Sequence, residues 1–203
     1  SAPTAVGGRV FAITYDNQLR VFASNNGRQL WSHTGLPEEA GLVGAPSVAV
    51  SGGIVLVPYS SGEIYALRVE NGREIWSDQL IRPMQITALS EMSEIQGSPV
   101  VDRGIVITLS YSGRIAAIDV QSGRRIWERD LQGIQTPWVA GDFIYVVTTQ
   151  SEIVCLHRGN GRVRWVSQLK RYEDPEDLEG ELHWSGPVLG SDRLILAATD
   201  GSL

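Results

Sequence analysis

The sequence predicts an all-β protein, a β-propeller of four-stranded antiparallel blades built from tryptophan-docking repeats. Three observations predict it. First, Pro3, Pro46, Pro99 and Pro137 precede Trp31, Trp76, Trp127 and Trp165 by 28, 30, 28 and 28 residues. A near-constant core with variable spacers is an internal repeat. Second, every copy holds short β-branched runs bounded by Gly and Asn turn signals, the pattern of strands joined by hairpins. Third, the tryptophans recur after 45, 51 and 38 residues with no 3.6-residue apolar period. That spacing suits a four-stranded blade and excludes helical solenoids and short-period β-helices.

Each copy opens with a small residue and proline, as in Ala2-Pro3, Ala45-Pro46, Ser98-Pro99 and Thr136-Pro137. A break follows at Gly7-Gly8, Gly52-Gly53, Arg103-Gly104 and Gly141-Asp142. The second run is the most apolar: Val10–Ile13, Ile54–Val57, Ile105–Thr108 and Ile144–Val147. These read as buried strands. Asn17, Gly62, Gly113 and Ser151 mark the next turn. The third run carries Leu19/Val21, Ile64/Ala66, Ile115/Ala117 and Ile153/Cys155. Asn26-Gly27, Asn71-Gly72, Ser122-Gly123 and Asn160-Gly161 then form a second turn, where Asn-Gly is the strongest short hairpin signal. The fourth run ends in the tryptophan. The expected blades span 1–36, 37–80, 81–131 and 132–169, with an incomplete fifth at 183–203 that begins around Pro187. The whole is expected to be one domain, about four and a half blades of an expected eight. A chain that begins at one blade's first strand and stops inside a hairpin reads as a piece of a larger propeller.

The chain has 203 residues, 42% of them hydrophobic, 22 glycines and a net charge of −6. The negative charge argues against nucleic acid as the main partner. One cysteine excludes an internal disulfide. No apolar stretch is long enough for a membrane helix.

The third copy, Ala117-Ile118-Asp119-Val120-Gln121-Ser122-Gly123-Arg124-Arg125-Ile126-Trp127, resembles the docking motif of pyrroloquinoline-quinone (PQQ)-type propellers, Ala-x-Asp-x-x-Thr-Gly-x-x-x-Trp. The second copy keeps Ala66, Gly72 and Trp76 but has Arg68 at the acidic place. The first has Val21 and Ala23, and the fourth Cys155 and His157. The resemblance implies that Trp31, Trp76, Trp127 and Trp165 pack between blades against the glycines of the set Gly27, Gly72, Gly123 and Gly161. Within that superfamily the start Ser1–Ala5, the block Ile75–Leu131 and its long spacer resemble the BamB family of outer-membrane assembly lipoproteins.

That resemblance implies an eight-bladed adaptor with no catalytic, cofactor or metal site, held on the periplasmic face of the bacterial outer membrane by an N-terminal lipid. It implies binding to a POTRA domain of BamA, the barrel-forming subunit, with unfolded outer-membrane proteins as further partners. Membrane contact would come only through the lipid. The lipidated cysteine is not among these residues, and Cys155 does not match it. The family's acidic contact pair falls on Glu94 and Gln96, so one charge is kept and one is lost. The partner-binding expectation is Met92, Glu94, Ile95 and Gln96.

Two long spacers stand out. The 22 residues between Trp76 and Pro99 hold the chain's two methionines, Met84 and Met92, with Ile81, Ile86 and Leu89. Flexible apolar side chains beside carboxylates suit a protein contact, or else plug their own loop onto the propeller. The stretch Glu173–Glu181 carries six carboxylates in nine residues, expected to repel into an extended solvated loop. Among enzymes, the rival is a quinoprotein (PQQ-dependent) dehydrogenase fragment, whose characteristic vicinal cysteine pair one cysteine cannot make. A sensor propeller domain is a third reading. Cys155 occupies the small-residue slot ten positions before its tryptophan and reads as core. His33, His157 and His183 lack metal-ligand spacing. Arg28, Arg73, Arg124 and Arg162 follow the turn glycines and read as solvated charges.

Overall fold

The computed structural model describes residues 2–36, 46–80, 95 and 97–203. It contains four antiparallel sheets of four strands, each in sequential order, and no helix among those residues. The first sheet is β1 (Thr4–Val6), β2 (Arg9–Ile13), β3 (Gln18–Ala23) and β4 (Gln29–Thr34). The second is β5 (Ala49–Ser51), β6 (Ile54–Pro58), β7 (Glu63–Arg68) and β8 (Glu74–Gln79). The third is β9 (Val100–Asp102), β10 (Ile105–Ser110), β11 (Arg114–Asp119) and β12 (Arg125–Asp130). The fourth is β13 (Trp138–Ala140), β14 (Phe143–Val147), β15 (Glu152–His157) and β16 (Val163–Gln168). A two-stranded unit, β19 (Trp184–Gly190) and β20 (Arg193–Ala198), packs against β13 and β14. The fold is a partial β-propeller.

The second strands read as unbroken apolar runs because both their faces are covered. In β6, Ile54 and Leu56 enter a core shared with the third sheet, while Val55 and Val57 enter a core shared with the first. All five β6 residues are buried. Doubly covered strands lose the alternation of a half-exposed sheet. Three such cores lie between successive sheets. Stability therefore comes from stacking neighbours, as expected of repeats that cannot bury both faces alone.

The pairing of third with fourth strand slips at the same place in every sheet. The slips follow the pairs Val21↔Trp31, Ala66↔Trp76, Ala117↔Trp127 and Cys155↔Trp165. A bulge bends its strand and re-aims a side chain. Here it falls beside the tryptophan and opposite the small third-strand residue, leaving the indole room to leave its own sheet.

One expectation changes. Glu173–Glu181 is not an extended loop but an exposed hairpin, β17 (Tyr172–Asp174) paired with β18 (Glu179–Glu181). Asp174 Oδ1 accepts from the Glu176 and Asp177 amides, and Leu178 and Gly180 turn the chain at φ of 57° and 67°. Local capping and backbone pairing outweigh repulsion between carboxylates that all stay in water.

Candidate docking surfaces

Three tryptophans leave their own sheet and lie on the glycine turn of the next. A Cβ built on Gly72 would come within 2.5 Å of the Trp31 ring, on Gly123 within 2.6 Å of Trp76, and on Gly161 within 2.5 Å of Trp127. No side chain fits at those distances, and all three glycines have left-handed φ of 65–73°. Each indole Nε1–H donates to the carbonyl just ahead of that turn: Trp31 to Val69 at 3.1 Å, Trp76 to Val120 at 2.8 Å, Trp127 to Arg158 at 2.6 Å. At the ends of the array the two halves of this contact stand apart. Gly27 has nothing within 4 Å of a built Cβ, and Trp165 is 38% exposed beside Tyr145.

Polar links reinforce the junctions. The Arg125 guanidinium donates to both Asp78 oxygens at 2.7 Å across the second junction and also pairs with Glu128. Donation to the Asp78 carboxylate is the main reason the Arg125 pKa stands above the usual arginine value. Arg158 reaches Asp102 at 2.8 Å across the third, and Arg129 donates to the Asn160 and Gly161 carbonyls. At the inner strand starts, the Ser47 amide donates to Ser98 Oγ and the Ser98 amide to Thr136 Oγ1, both at 3.0 Å. The small residues beside the prolines are thus connectors. By contrast Arg28, Arg73, Arg124 and Arg162 are exposed.

Met92, Glu94 and Gln96 lie outside the described residues. Ile95 is described, and its placement corrects the expectation of a contact residue. It is fully buried, in the core with Trp76, Leu80 and Ala116, because it is the apolar residue that seals the junction of the second and third sheets. Two residues on, a Cβ on Gly97 would meet the Gln135 carbonyl at 2.6 Å. The end of the long spacer is therefore held tightly against the chain leading into β13.

A polar cluster at the first junction has no counterpart in the repeat pattern. Asn17, 4% exposed, accepts from the Ser60 amide and hydroxyl and donates to the Leu36 carbonyl. Glu63, 5% exposed, accepts from the Leu36 amide, Ser61 Oγ and Tyr65 Oη. His33 Nδ1 lies 2.9 Å from Tyr59 Oη, with its ring stacked on Tyr59. Burial lowers the His33 pKa against the opposing pull of Glu74 and Glu63, and burial raises that of Tyr59. The only sequence sign of the cluster is Gly35, where a Cβ would strike the Tyr59 ring at 2.6 Å. Cys155 is buried, and that burial raises its pKa. Among the described residues no three His, Cys, Asp or Glu side chains gather as a metal site. Among the described residues no helix is long and apolar enough to cross a membrane, which leaves strand-built membrane crossing untouched.

A family profile described as "Outer membrane protein assembly factor BamB" matches residues 1–167. The chain belongs to the BamB family. A curated member from Yersinia pestis is 26% identical over 235 residues, covering 100% of this chain and 60% of its own length. The BamB crystal structure from Moraxella catarrhalis superposes with a TM-score of 0.85 at 21% identity, over 98% of this chain and 57% of that one. The quinohemoprotein alcohol dehydrogenase of Comamonas testosteroni shares the fold at a TM-score of 0.69 and 16% identity, over 97% of this chain and 38% of its own. The chain spans about half the length of several curated BamB relatives it matches.

Proposed function

We propose that this protein is a non-enzymatic scaffold in the assembly of outer-membrane β-barrel proteins, working at the periplasmic face of the outer membrane. The observation that carries the reading is the BamB family match across four blades. Relatives that match the chain carry the assembly-factor name. The partner is a POTRA domain of the BamA-type barrel-forming subunit, gripped by the spacer between the second and third blades, with Met92 and Glu94 as contacts. Anchorage at the membrane is by lipid. The burial of Ile95 and the close approach of Gly97 to Gln135 support a spacer with a fixed base. Such a base lowers the ordering cost of presenting residues 81–94 to a partner. Gln96 in place of a second carboxylate implies that Glu94 carries the charge complement alone.

The test is a binding titration of the cognate POTRA domains with the unaltered protein and with Met92→Ala/Glu94→Gln. The expected outcome is a tenfold or greater loss of affinity with an unchanged urea-unfolding midpoint. Unchanged affinity removes the spacer as the contact.

A further inference from the structure

Asn26-Gly27-Arg28, Asn71-Gly72-Arg73 and Asn160-Gly161-Arg162 are the same tripeptide in the first, second and fourth copies. The third copy has Ser122 at the asparagine position. Each asparagine lies in the turn between the third and fourth strands, just ahead of a glycine with left-handed φ of 69°, 73° or 65°. All three asparagines are exposed.

The bonds inside the turns are also alike. The glycine amide donates to a carbonyl across the turn: Gly27 to Ala23 at 2.9 Å, Gly72 to Arg68 and Gly161 to His157 at 2.8 Å. Each asparagine Oδ1 accepts from the arginine amide beyond the glycine, at 3.0 Å in every case. Sequence and local geometry therefore give the three asparagines one intrinsic reactivity. What lies over the glycine differs. Trp31 covers Gly72 and Trp127 covers Gly161, and each indole also donates to a carbonyl of the turn it covers, Val69 or Arg158. Gly27 is exposed, with nothing among the described residues within 4 Å of a built Cβ, whereas Gly72 is half-buried and Gly161 buried.

The chemistry open to such a turn is loss of ammonia from the asparagine. The backbone nitrogen of the next residue attacks Cγ of the side chain, and glycine, with no Cβ, leaves that nitrogen least hindered. The new N–Cγ bond forms as the Cγ–Nδ2 bond breaks. Nδ2 departs as ammonia, and the proton lost from the backbone nitrogen ends on it. Water then opens the cyclic imide at either carbonyl, giving aspartate or isoaspartate. One water is consumed and one ammonia released, with no oxidant or reductant.

In a folded turn the glycine nitrogen must first leave the carbonyl it bonds and swing toward Cγ. At Gly27 that opening breaks only the turn's own bonds. At Gly72 and Gly161 the glycine must move against an indole that a Cβ would already overlap, at 2.5 Å in both, and the indole's hydrogen bond is lost as well. Chemistry gated by local opening follows the population of the open state. Losing one hydrogen bond and a packed ring lowers that population by about tenfold or more.

We infer that Asn26 is a site of spontaneous deamidation, and that the docked tryptophans protect Asn71 and Asn160 from the same reaction. Conversion places a negative charge beside Arg28, and the isoaspartate form adds a methylene to the main chain between β3 and β4. Asn26 thereby records the time its turn spends without an indole over it. The inference rests on the docking geometry and is independent of the partner proposed above.

The test incubates the full 203-residue chain at mildly alkaline pH and follows each asparagine by peptide mapping with tandem mass spectrometry, against a zero-time sample. Asn26 is expected to convert at least about tenfold faster than Asn71 and Asn160, and the three rates to converge in urea. Trp31→Ala uncovers Gly72, so Asn71 accelerates toward the rate of Asn26 while Asn160, beneath Trp127, stays slow. Acceleration of Asn160 as well marks a general loss of fold. Trp31→Phe, which keeps an aromatic ring and removes the hydrogen bond to Val69, then decides the matter and is expected to speed Asn71 alone. Equal rates for the three in the folded chain, no conversion at Asn26, or an Asn71 rate unmoved in a folded Trp31 variant would overturn the assignment.

Discussion

Trp76 and Trp165 occupy the same place in two copies of one repeat, yet the structure gives them different energies. Trp76 is 8% exposed and Trp165 38%. A tryptophan offers roughly 250 Å² of surface, so Trp165 keeps about 75 Å² more in water, worth about 2 kcal/mol. The Trp76 indole also donates to the Val120 carbonyl at 2.8 Å, a bond worth about 1 kcal/mol net. Trp165 has no such bond among the described residues. Replacing a buried tryptophan by alanine costs about 3–5 kcal/mol. The expected loss is therefore about 4–5 kcal/mol for Trp76→Ala and about 1–2 kcal/mol for Trp165→Ala. Urea unfolding followed by tryptophan fluorescence and far-UV circular dichroism measures both in one background. Losses within 1 kcal/mol of each other would refute the claim that the next blade's glycine turn is what stabilises the indole.

Two further outcomes follow from the same geometry. Gly161→Ala puts a methyl 2.5 Å from the Trp127 ring, whereas Gly27→Ala at nearly the same φ meets nothing within 4 Å. The second change costs about 1 kcal/mol for backbone conformation alone, and the first a further 1–3 kcal/mol of overpacking; urea midpoints of the two variants check the difference. His33 has its pKa lowered below the ordinary 6.5, chiefly by burial. The unfolded chain then binds more protons just below that value, so this contribution is whole above pH 6.5 and is lost as pH falls toward the folded pKa. The slope of urea midpoint against pH between about 7.5 and 5.5 is expected to flatten in His33→Gln; an unchanged slope would remove His33 as its source.

What was legible in the sequence is what the repeat writes several times. The strand order, the glycine turns and the all-β class come from patterns that recur in every copy. The continuous apolar character of Ile54–Val57 has its cause in two flanking cores. What was not legible depends on pairs that occur once. Asn17 and Ser60 stand 43 residues apart, and Leu36 and Glu63 stand 27 apart. At the place of Glu63 the other copies carry Gln18, Arg114 and Glu152, so no periodicity flags a buried carboxylate. The burial of Ile95 is illegible for a related reason. An isoleucine in a long polar spacer looks like an exposed contact, and only the neighbouring sheets reveal the gap that it fills. The Glu173–Glu181 hairpin is not legible from net charge, because exposed carboxylates repel little through water.

The stacking of the sheets rests on parts that recur at each junction. Every junction from the first sheet to the fourth rests on the same three parts: an indole, a glycine turn and a core fed by two sheets. Among the described residues the second spacer adds Ile95 to one of these cores and sets Gly97 against Gln135. A substitution at Ile95 removes a fully buried side chain from the core shared by the second and third sheets. Trimming a buried isoleucine to alanine costs about 2–5 kcal/mol, a large share of the 5–15 kcal/mol that holds a typical domain together. A fall in POTRA binding in an Ile95 variant would thus report a damaged junction and not a lost contact.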